Sequence, residues 1–174
     1  MAVLPIVKVP EPVLRQKAKK VRKIDASIQK LVDDMIETMH DAPGVGLAAN
    51  QIGVALRICV IHVPGEPVVT LINPEIVRRS GSRICEGEGC LSLPGYRGAV
   101  PRSEKVVVKG LNREGRPVRY HAEDLFAEAI EHEVDHLNGV LYFDYLESID
   151  KLVPYTAGEE EAAEEEEVAA QGSS

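Results

Sequence analysis

Two histidines, His132 and His136, lie four residues apart in this chain, and Glu133 directly follows the first. Side chains four residues apart on a helix lie one turn from each other on the same face, so both imidazoles can reach one ion. The Glu133 carboxylate can then reach a water molecule bound to that ion. This His-Glu-x-x-His pattern is typical of a metal site with a carboxylate base. Taken alone, it fits a charged, solvated helix face equally well.

The residues around these histidines predict a buried helix from about Glu123 to Asn138, with Gly139 as its C-terminal stop. A metal-binding face beside an apolar stripe lies inside the protein, which favours the metal site over a solvated face. The apolar stripe consists of Leu125, Phe126, Ala129, Ile130, Val134 and Leu137.

The charge distribution predicts one folded domain at residues 1–155 and an acidic tail at 156–174. A chain of 174 residues that is 44% hydrophobic is long enough for a single core. Seven glutamates and no lysine or arginine lie in residues 157–174, and without them the net charge of −8 falls to −1. We expect the tail to be disordered. Nothing in this nearly neutral body resembles a basic nucleic-acid surface.

The absence of targeting features predicts a cytoplasmic location. No apolar run approaches the roughly 20 residues that span a bilayer, and the N-terminus lacks the features of a secretory or transit peptide. The three cysteines form no C-x-x-C pair, so a disulfide framework is not expected.

The rest of the chain predicts one further helix and several strands. Asp25 is a good N-cap for a helix with apolar residues from Ile28 to Met39. The small residues of Gly44–Gly53 predict a loop that lets backbone approach a ligand, or a plain turn. The pattern favours the α+β class, with antiparallel or mixed sheets packed around the central metal-binding helix. Strands are predicted at 56–63, 68–73, 75–79, 83–86, 105–111 and 117–121.

A catalytic metal site needs a third protein ligand and one open position. Cys90 is favoured because glycines flank it and a Pro-Gly turn is predicted at 94–95, which indicates a loop that presents a side chain. Cys85 lies in an alternating strand and is expected to be structural. The alternatives left open are the acidic residues and His40, His62 and His121.

Three segments together resemble the signature motifs of the peptide deformylase family: Gly44–Gln51, Glu88–Ser92 and His132–His136. They occur in the family's order and at its usual spacing, and the resemblance covers about residues 1 to 150. It implies an enzyme that removes the formyl group from the N-terminal formyl-methionine of new bacterial proteins.

The resemblance also implies a role for individual residues. Cys90, His132 and His136 would hold the metal, and Glu133 would act as the general base. The Gln51 amide and the Leu91 backbone N–H would stabilise the oxyanion. The substrate is expected to contact Val45, Gly46, Gly89, Arg97, Leu125, Ala129 and Ile130.

One cysteine and two histidines suit Zn²⁺, Fe²⁺, Co²⁺ or Ni²⁺. The resemblance implies native Fe²⁺ that the other ions can replace, N-formylmethionyl nascent peptides as substrates, and transient proximity to the ribosome. Direct nucleic-acid binding is not expected, because the tail glutamates would be repelled by ribosomal RNA. No membrane partner is expected either.

Two other interpretations remain open. A broader His-Glu-x-x-His metallopeptidase would usually take a downstream His or Glu as third ligand, and a non-catalytic metal-binding module would need a fourth ligand. Glu131 stands where many family members carry Gln and adds negative charge near the site. Asp135 is expected either to hold Arg102 or orient the metal-binding histidines, or only to form a surface salt bridge.

Overall fold

The computed structural model describes residues 2–156, 169–170 and 172, and the predicted disorder of the acidic tail falls for the most part on residues outside these ranges. No helix in the described ranges is long and apolar enough to cross a membrane. The main helices are α1 (Ala26–Asp41) and α2 (Asp124–Leu137). The strands are β1 (Gly46–Ala48), β2 (Ile58–Ile61), β3 (Val69–Ser80), β4 (Arg83–Cys90), β5 (Leu93–Arg102), β6 (Lys105–Leu111), β7 (Pro117–Glu123) and β8 (Val153–Pro154).

The strands form two antiparallel sheets. The larger sheet has the order β1-β2-β3-β6-β7, and the smaller has the order β4-β5-β8. Every pairing between these strands is antiparallel, and an isolated bridge between Lys19 and Leu56 is parallel. The α+β class with a central helix is therefore confirmed.

Strand β2 lies between the two helices. Because successive side chains of a strand point to opposite faces, Cys59 and Ile61 pack in one cluster with α2, and Ile58 and Val60 pack in another with α1. All four residues are buried, which explains the continuous apolar run in this segment. The helix α2 is thus fixed against the centre of the larger sheet.

The prediction of α1 is confirmed at its N-terminus. Asp25 is the N-cap, and its Oδ1 accepts hydrogen bonds from the backbone N–H of Ser27 at 3.0 Å and of Ile28 at 3.2 Å. The apolar stripe packs inward through Val32, Met35 and Met39, each fully buried.

The prediction of a strand break at Pro74 is wrong. β3 continues through Pro74, and the register of its pairing with β6 shifts between Ile72 and Glu75. Asn73 has a φ of 53°, so the chain bulges here. Proline is tolerated at a bulge because no ladder hydrogen bond is needed from its nitrogen.

Two predicted loops are strands. Gly46–Ala48 pairs with β2 as the edge strand β1, and Ala49–Ile52 follows as a 3₁₀ turn. Cys90 is the last residue of β4 rather than part of a loop, and the predicted Pro94-Gly95 turn lies inside β5. Residues 90–93 therefore form the tight connection of a hairpin, in which Cys90 pairs with Leu93.

Candidate metal centre and active site

The chain brings three metal-ligating side chains to one point. Cys90 comes from the end of β4, and His132 and His136 come from successive turns of α2. The His136 Nε2 atom lies 3.3 Å from Cys90 Sγ and 3.1 Å from His132 Nε2. All three ligand atoms lie within 4.8 Å of one another. The alternatives left open as third ligand, including His40, His62 and His121, do not join this group.

The spacings of the donor atoms are close to those that a tetrahedral ion requires. At ordinary bond lengths, two nitrogen ligands of such an ion are separated by about 3.3 Å, and a nitrogen and a sulfur ligand by about 3.6 Å. The observed 3.1 Å and 3.3 Å are slightly shorter, so small side-chain movements would admit the ion. The residues present therefore fit a divalent transition metal.

Glu88 orients the first histidine. Its Oε1 accepts a 2.6 Å hydrogen bond from His132 Nδ1, which leaves the lone pair of Nε2 for the ion. Burial would lower the pKa of His132, but hydrogen bonds with Cys90 and Glu88 raise it well above its ordinary value. The groups around His132 therefore favour a positive charge at its Nε2 atom, which either a proton or a metal cation could supply.

The Glu88 carboxylate is itself fixed by a buried ion pair. Arg102 donates to both of its oxygens, through Nη2 to Oε1 and through Nε to Oε2 at 3.0 Å. Arg102 Nη1 also donates to Asp135 at 2.8 Å, and the Tyr145 hydroxyl donates to the same Asp135 oxygen. The prediction that Asp135 holds Arg102 is therefore confirmed.

The second histidine, His136, is buried, and its backbone carbonyl accepts a side-chain hydrogen bond. Asn50 donates through its side-chain nitrogen to the backbone carbonyl of His136. Burial and the neighbouring His132 lower the pKa of His136 well below its ordinary value. His136 is therefore neutral, the form in which imidazole binds a metal.

Glu133 lies buried beside the metal ligands on α2. A Cβ added at Gly46 would lie 2.7 Å from its Oε1, so the glycine leaves the space that the carboxylate occupies. Burial, opposed by His132, raises the pKa of Glu133 to about 7. A carboxyl with a pKa near neutral pH can accept a proton and return it.

Gln51 presents its amide N–H groups to the same centre. Its Oε1 accepts a 3.0 Å hydrogen bond from the backbone N–H of Ala48, which fixes the orientation of the amide. Its Nε2 lies 3.6 Å from Cys90 Sγ and donates to Ser92 Oγ at 3.1 Å. A neutral donor is therefore held beside the metal ligands.

The residues predicted to contact substrate differ in exposure. Val45 is exposed and Gly46 lies in β1, an edge strand of the larger sheet. Leu125 is half-buried, whereas Ala129 and Ile130 lie in the core cluster with the sheet. Leu91 is half-buried and its side chain packs over Gly44.

Arg97 and Gly89 lie in contact on the smaller sheet. A Cβ at Gly89 would meet the Arg97 guanidinium at 2.5 Å, and Arg97 donates to the Gly87 carbonyl at 3.3 Å. The guanidinium carbon lies 4.9 Å from the centre of the Tyr155 ring, next to β8. Arg97 thus fills the space beside the glycine that precedes Cys90.

Sequence reasoning missed the roles of Glu88 and Asn50 and the contact of Arg102 with Glu88. The one sign of such a role in the sequence was the acidic residue Glu88, two positions before Cys90. Its partners Arg102 and His132 come from β5 and α2, and no local sequence pattern connects them to Glu88. Glu131 does not leave an unpaired charge near the ion, because it accepts from Ser103 N–H at 2.6 Å and pairs with Arg79 at 3.2 Å.

Comparisons with known proteins agree with this site. A family model described as polypeptide deformylase matches residues 3–152. The peptide deformylase of Dehalococcoides mccartyi (strain CBDB1) is 54% identical over 153 residues, which are 87% of this chain and 91% of that relative.

Solved structures give the same result. A peptide deformylase from Legionella pneumophila matches with a TM-score of 0.83 and 41% identity over 99% of both chains. A peptide deformylase from Synechococcus elongatus in complex with actinonin matches with a TM-score of 0.82 and 42% identity, covering 85% of this chain and 81% of that one.

These matches also decide between the interpretations that the sequence left open. They give no support to a broader metallopeptidase, and the relatives are enzymes rather than structural modules. The chain belongs to the peptide deformylase family, metal-dependent enzymes that remove the N-formyl group from nascent polypeptides.

Proposed function

We propose that residues 1–155 form the catalytic domain and hydrolyse the formamide bond of N-formylmethionyl peptides with a metal ion held by Cys90, His132 and His136. The observation that carries this proposal is the convergence of the three ligand atoms within 4.8 Å beside two further groups, a buried carboxyl and an amide donor. A divalent ion at this point would supply Lewis acidity, which polarises a carbonyl oxygen and lowers the pKa of water.

Glu133 moves the proton in this scheme. Its carboxylate takes a proton from the attacking water and gives it to the amine that leaves with the peptide. The apolar surroundings that raise its pKa to about 7 also keep bulk water away from this step. Formate and a peptide with a free N-terminus are the products.

Gln51 and Leu91 stabilise the charge on the formyl oxygen. The Gln51 amide already faces the centre, because its oxygen is bonded to Ala48 N–H. Leu91 follows the ligand Cys90 directly, so its backbone N–H is placed by the same short connection between β4 and β5. Donors fixed before the reaction need no rearrangement when charge develops.

The substrate backbone adds to the edge strand β1 at Gly46, with Gly89 on the other side. Such pairing gives affinity without reading side chains, which suits a pool of peptides that share one first residue. The methionine side chain contacts Val45, Leu91 and Leu125, with Ala129 and Ile130 behind them. Arg97 contacts the peptide further along.

We further propose Fe²⁺ as the ion in the cell, with Zn²⁺, Ni²⁺ or Co²⁺ able to replace it. The set of one thiolate and two imidazoles accommodates all four ions. The substrates are made in the cytoplasm, so the enzyme acts there and close to the ribosome.

Formate release by protein purified without oxygen tests the reaction and the ion together. We expect rapid release from formyl-Met-Ala, none from acetyl-Met-Ala, and iron as the main bound metal. Acetyl-Met-Ala is the matched control because it differs by one methyl group. A folded, metal-loaded protein that releases no formate would contradict the proposed reaction, and zinc alone in such a preparation would contradict the proposed ion.

The acidic tail is not expected to bind ribosomal RNA, because residues 157–174 carry seven glutamates and no basic residue. The full chain and a chain ending at Tyr155 should sediment equally with ribosomes. Weaker sedimentation of the shortened chain would show that the tail attaches to the ribosome.

A further inference from the structure

Two histidines outside the proposed centre repeat its geometry. His40 lies in the last turn of α1 and His62 directly follows β2. Their ring centroids are 5.0 Å apart at an interplanar angle of 66°, and those of His132 and His136 are 4.9 Å apart at 66°. His40 Nε2 lies 2.8 Å from His62 Nδ1. We propose that His40 and His62 form a second site for a divalent transition metal ion.

The chemistry of the pair suits borderline ions such as Ni²⁺ and Zn²⁺, which prefer imidazole nitrogen over carboxylate oxygen. His40 is exposed and His62 half-buried, so a hydrated ion can reach both rings. The 2.8 Å contact places the two ring nitrogens at hydrogen-bond distance, and an ion bound by both would replace that hydrogen bond.

The pair differs from the proposed catalytic centre in its remaining ligands. Within the part of the chain that the structure describes, no Cys, Asp or Glu completes the pair to three ligands. Water would fill the other positions of the ion. Among the described residues, neither ring has a buried carboxylate partner like the one that orients His132, so we expect this site to bind more weakly than the centre.

An ion here would connect two segments that flank β1. His62 N–H donates to the Val45 carbonyl at 2.8 Å, and Gly44 N–H donates to the Met39 carbonyl at 3.1 Å. The ion would therefore close a loop from residue 40 to residue 62, which contains β1 and Gln51. Occupancy stabilises this region of the folded chain by mass action.

Ion counting on the full chain tests the site. Protein whose centre has been filled with Zn²⁺ is dialysed against Ni²⁺, and the total bound metal is measured. We expect two ions per chain for the natural sequence and one for His40→Gln and His62→Gln. His121→Gln is the matched control, since His121 is an exposed histidine on β7, and it should keep two ions.

Nuclear magnetic resonance locates the added ion. Paramagnetic Ni²⁺ should broaden the ring signals of His40 and His62 and leave those of His121 sharp. A natural chain that takes up a single ion, or equal losses in all three variants, would overturn the proposal. The zinc content before dialysis reports separately on Cys90 and its partners, and no outcome depends on deformylase activity.

Discussion

Replacing Glu133 with glutamine is expected to lower kcat for formate release by about 10²–10⁴-fold while the metal content stays unchanged. Glutamine has nearly the same shape but cannot accept a proton from water. The side chain is buried and its Oε2 has no hydrogen-bond partner among the described residues, so the change breaks no structural contact of that oxygen. Steady-state kinetics with formyl-Met-Ala and metal analysis of the same sample measure both quantities.

A control for Glu133→Gln is Glu123→Gln, which removes an exposed carboxylate at the start of the same helix. Gly46→Ala tests the role of Glu133 without changing Glu133 itself, because the new methyl group would displace the Glu133 carboxylate from its position. Gly87→Ala is its matched control, since a Cβ there meets nothing within 4 Å. Near-normal kcat in the Glu133 variant would rule this residue out as the base.

Replacing Glu88 with alanine is expected to weaken metal affinity by about 10–100-fold. It should also lower the free energy of unfolding by about 3–5 kcal/mol, because the buried Arg102 guanidinium loses its main partner. His132 would lose the acceptor that fixes which nitrogen carries the proton. Competition with a chelator measures the first effect, and urea unfolding of the metal-loaded protein measures the second.

Two variants separate these effects. Asp135→Asn weakens the other ion pair of Arg102 but does not touch His132, so it should reduce stability and keep metal affinity. Glu88→Gln retains an oxygen that can accept from His132 Nδ1, so it should recover part of the affinity lost in Glu88→Ala. If Glu88→Ala bound metal as tightly as the natural chain, Glu88 would have no role in orienting His132.

The features predicted correctly from the sequence are those with local signals. The spacing of His132 and His136 reports directly on a helix face, and the stripe from Ile28 to Met39 with Asp25 before it defines α1. The three motifs then placed Cys90 beside the histidines, and the geometry agrees with that placement. Local periodicity was sufficient for both helices because each buries one continuous face.

The second half of β4 and the strand β5 could not be predicted because their stability comes from distant partners. β5 contains Pro94, Gly95 and Pro101, which disfavour a strand locally, yet it pairs with β4 on one side and β8 on the other. The short β1 likewise depends on β2, which begins ten residues later. Strand pairing between distant segments overrides weak local preference in both cases.

The role of Glu88 was hidden for a related reason. A buried carboxylate is stable only with partners, and here Arg102 and His132 come from two other elements. The sequence shows the acidic residue before the cysteine but not the residues that neutralise it. The same holds for Glu131, whose expected excess negative charge is balanced by Arg79 of β3 and by Ser103.

The position of Cys90 on the smaller sheet has a mechanical consequence. α2 is packed against the larger sheet, so an ion held by Cys90 and the two histidines, as proposed, would cross-link the two layers. Loss of that ion would remove one tie, and the hairpin of β4 and β5 would remain connected to α2 through contacts that include the ion pairs Arg102–Asp135 and Arg83–Glu128 and the hydrogen bond between Glu88 and His132. Depletion or oxidation of the metal would therefore also destabilise the fold locally. Amide hydrogens of β4 and β5 would then exchange faster than those of β2 and β3.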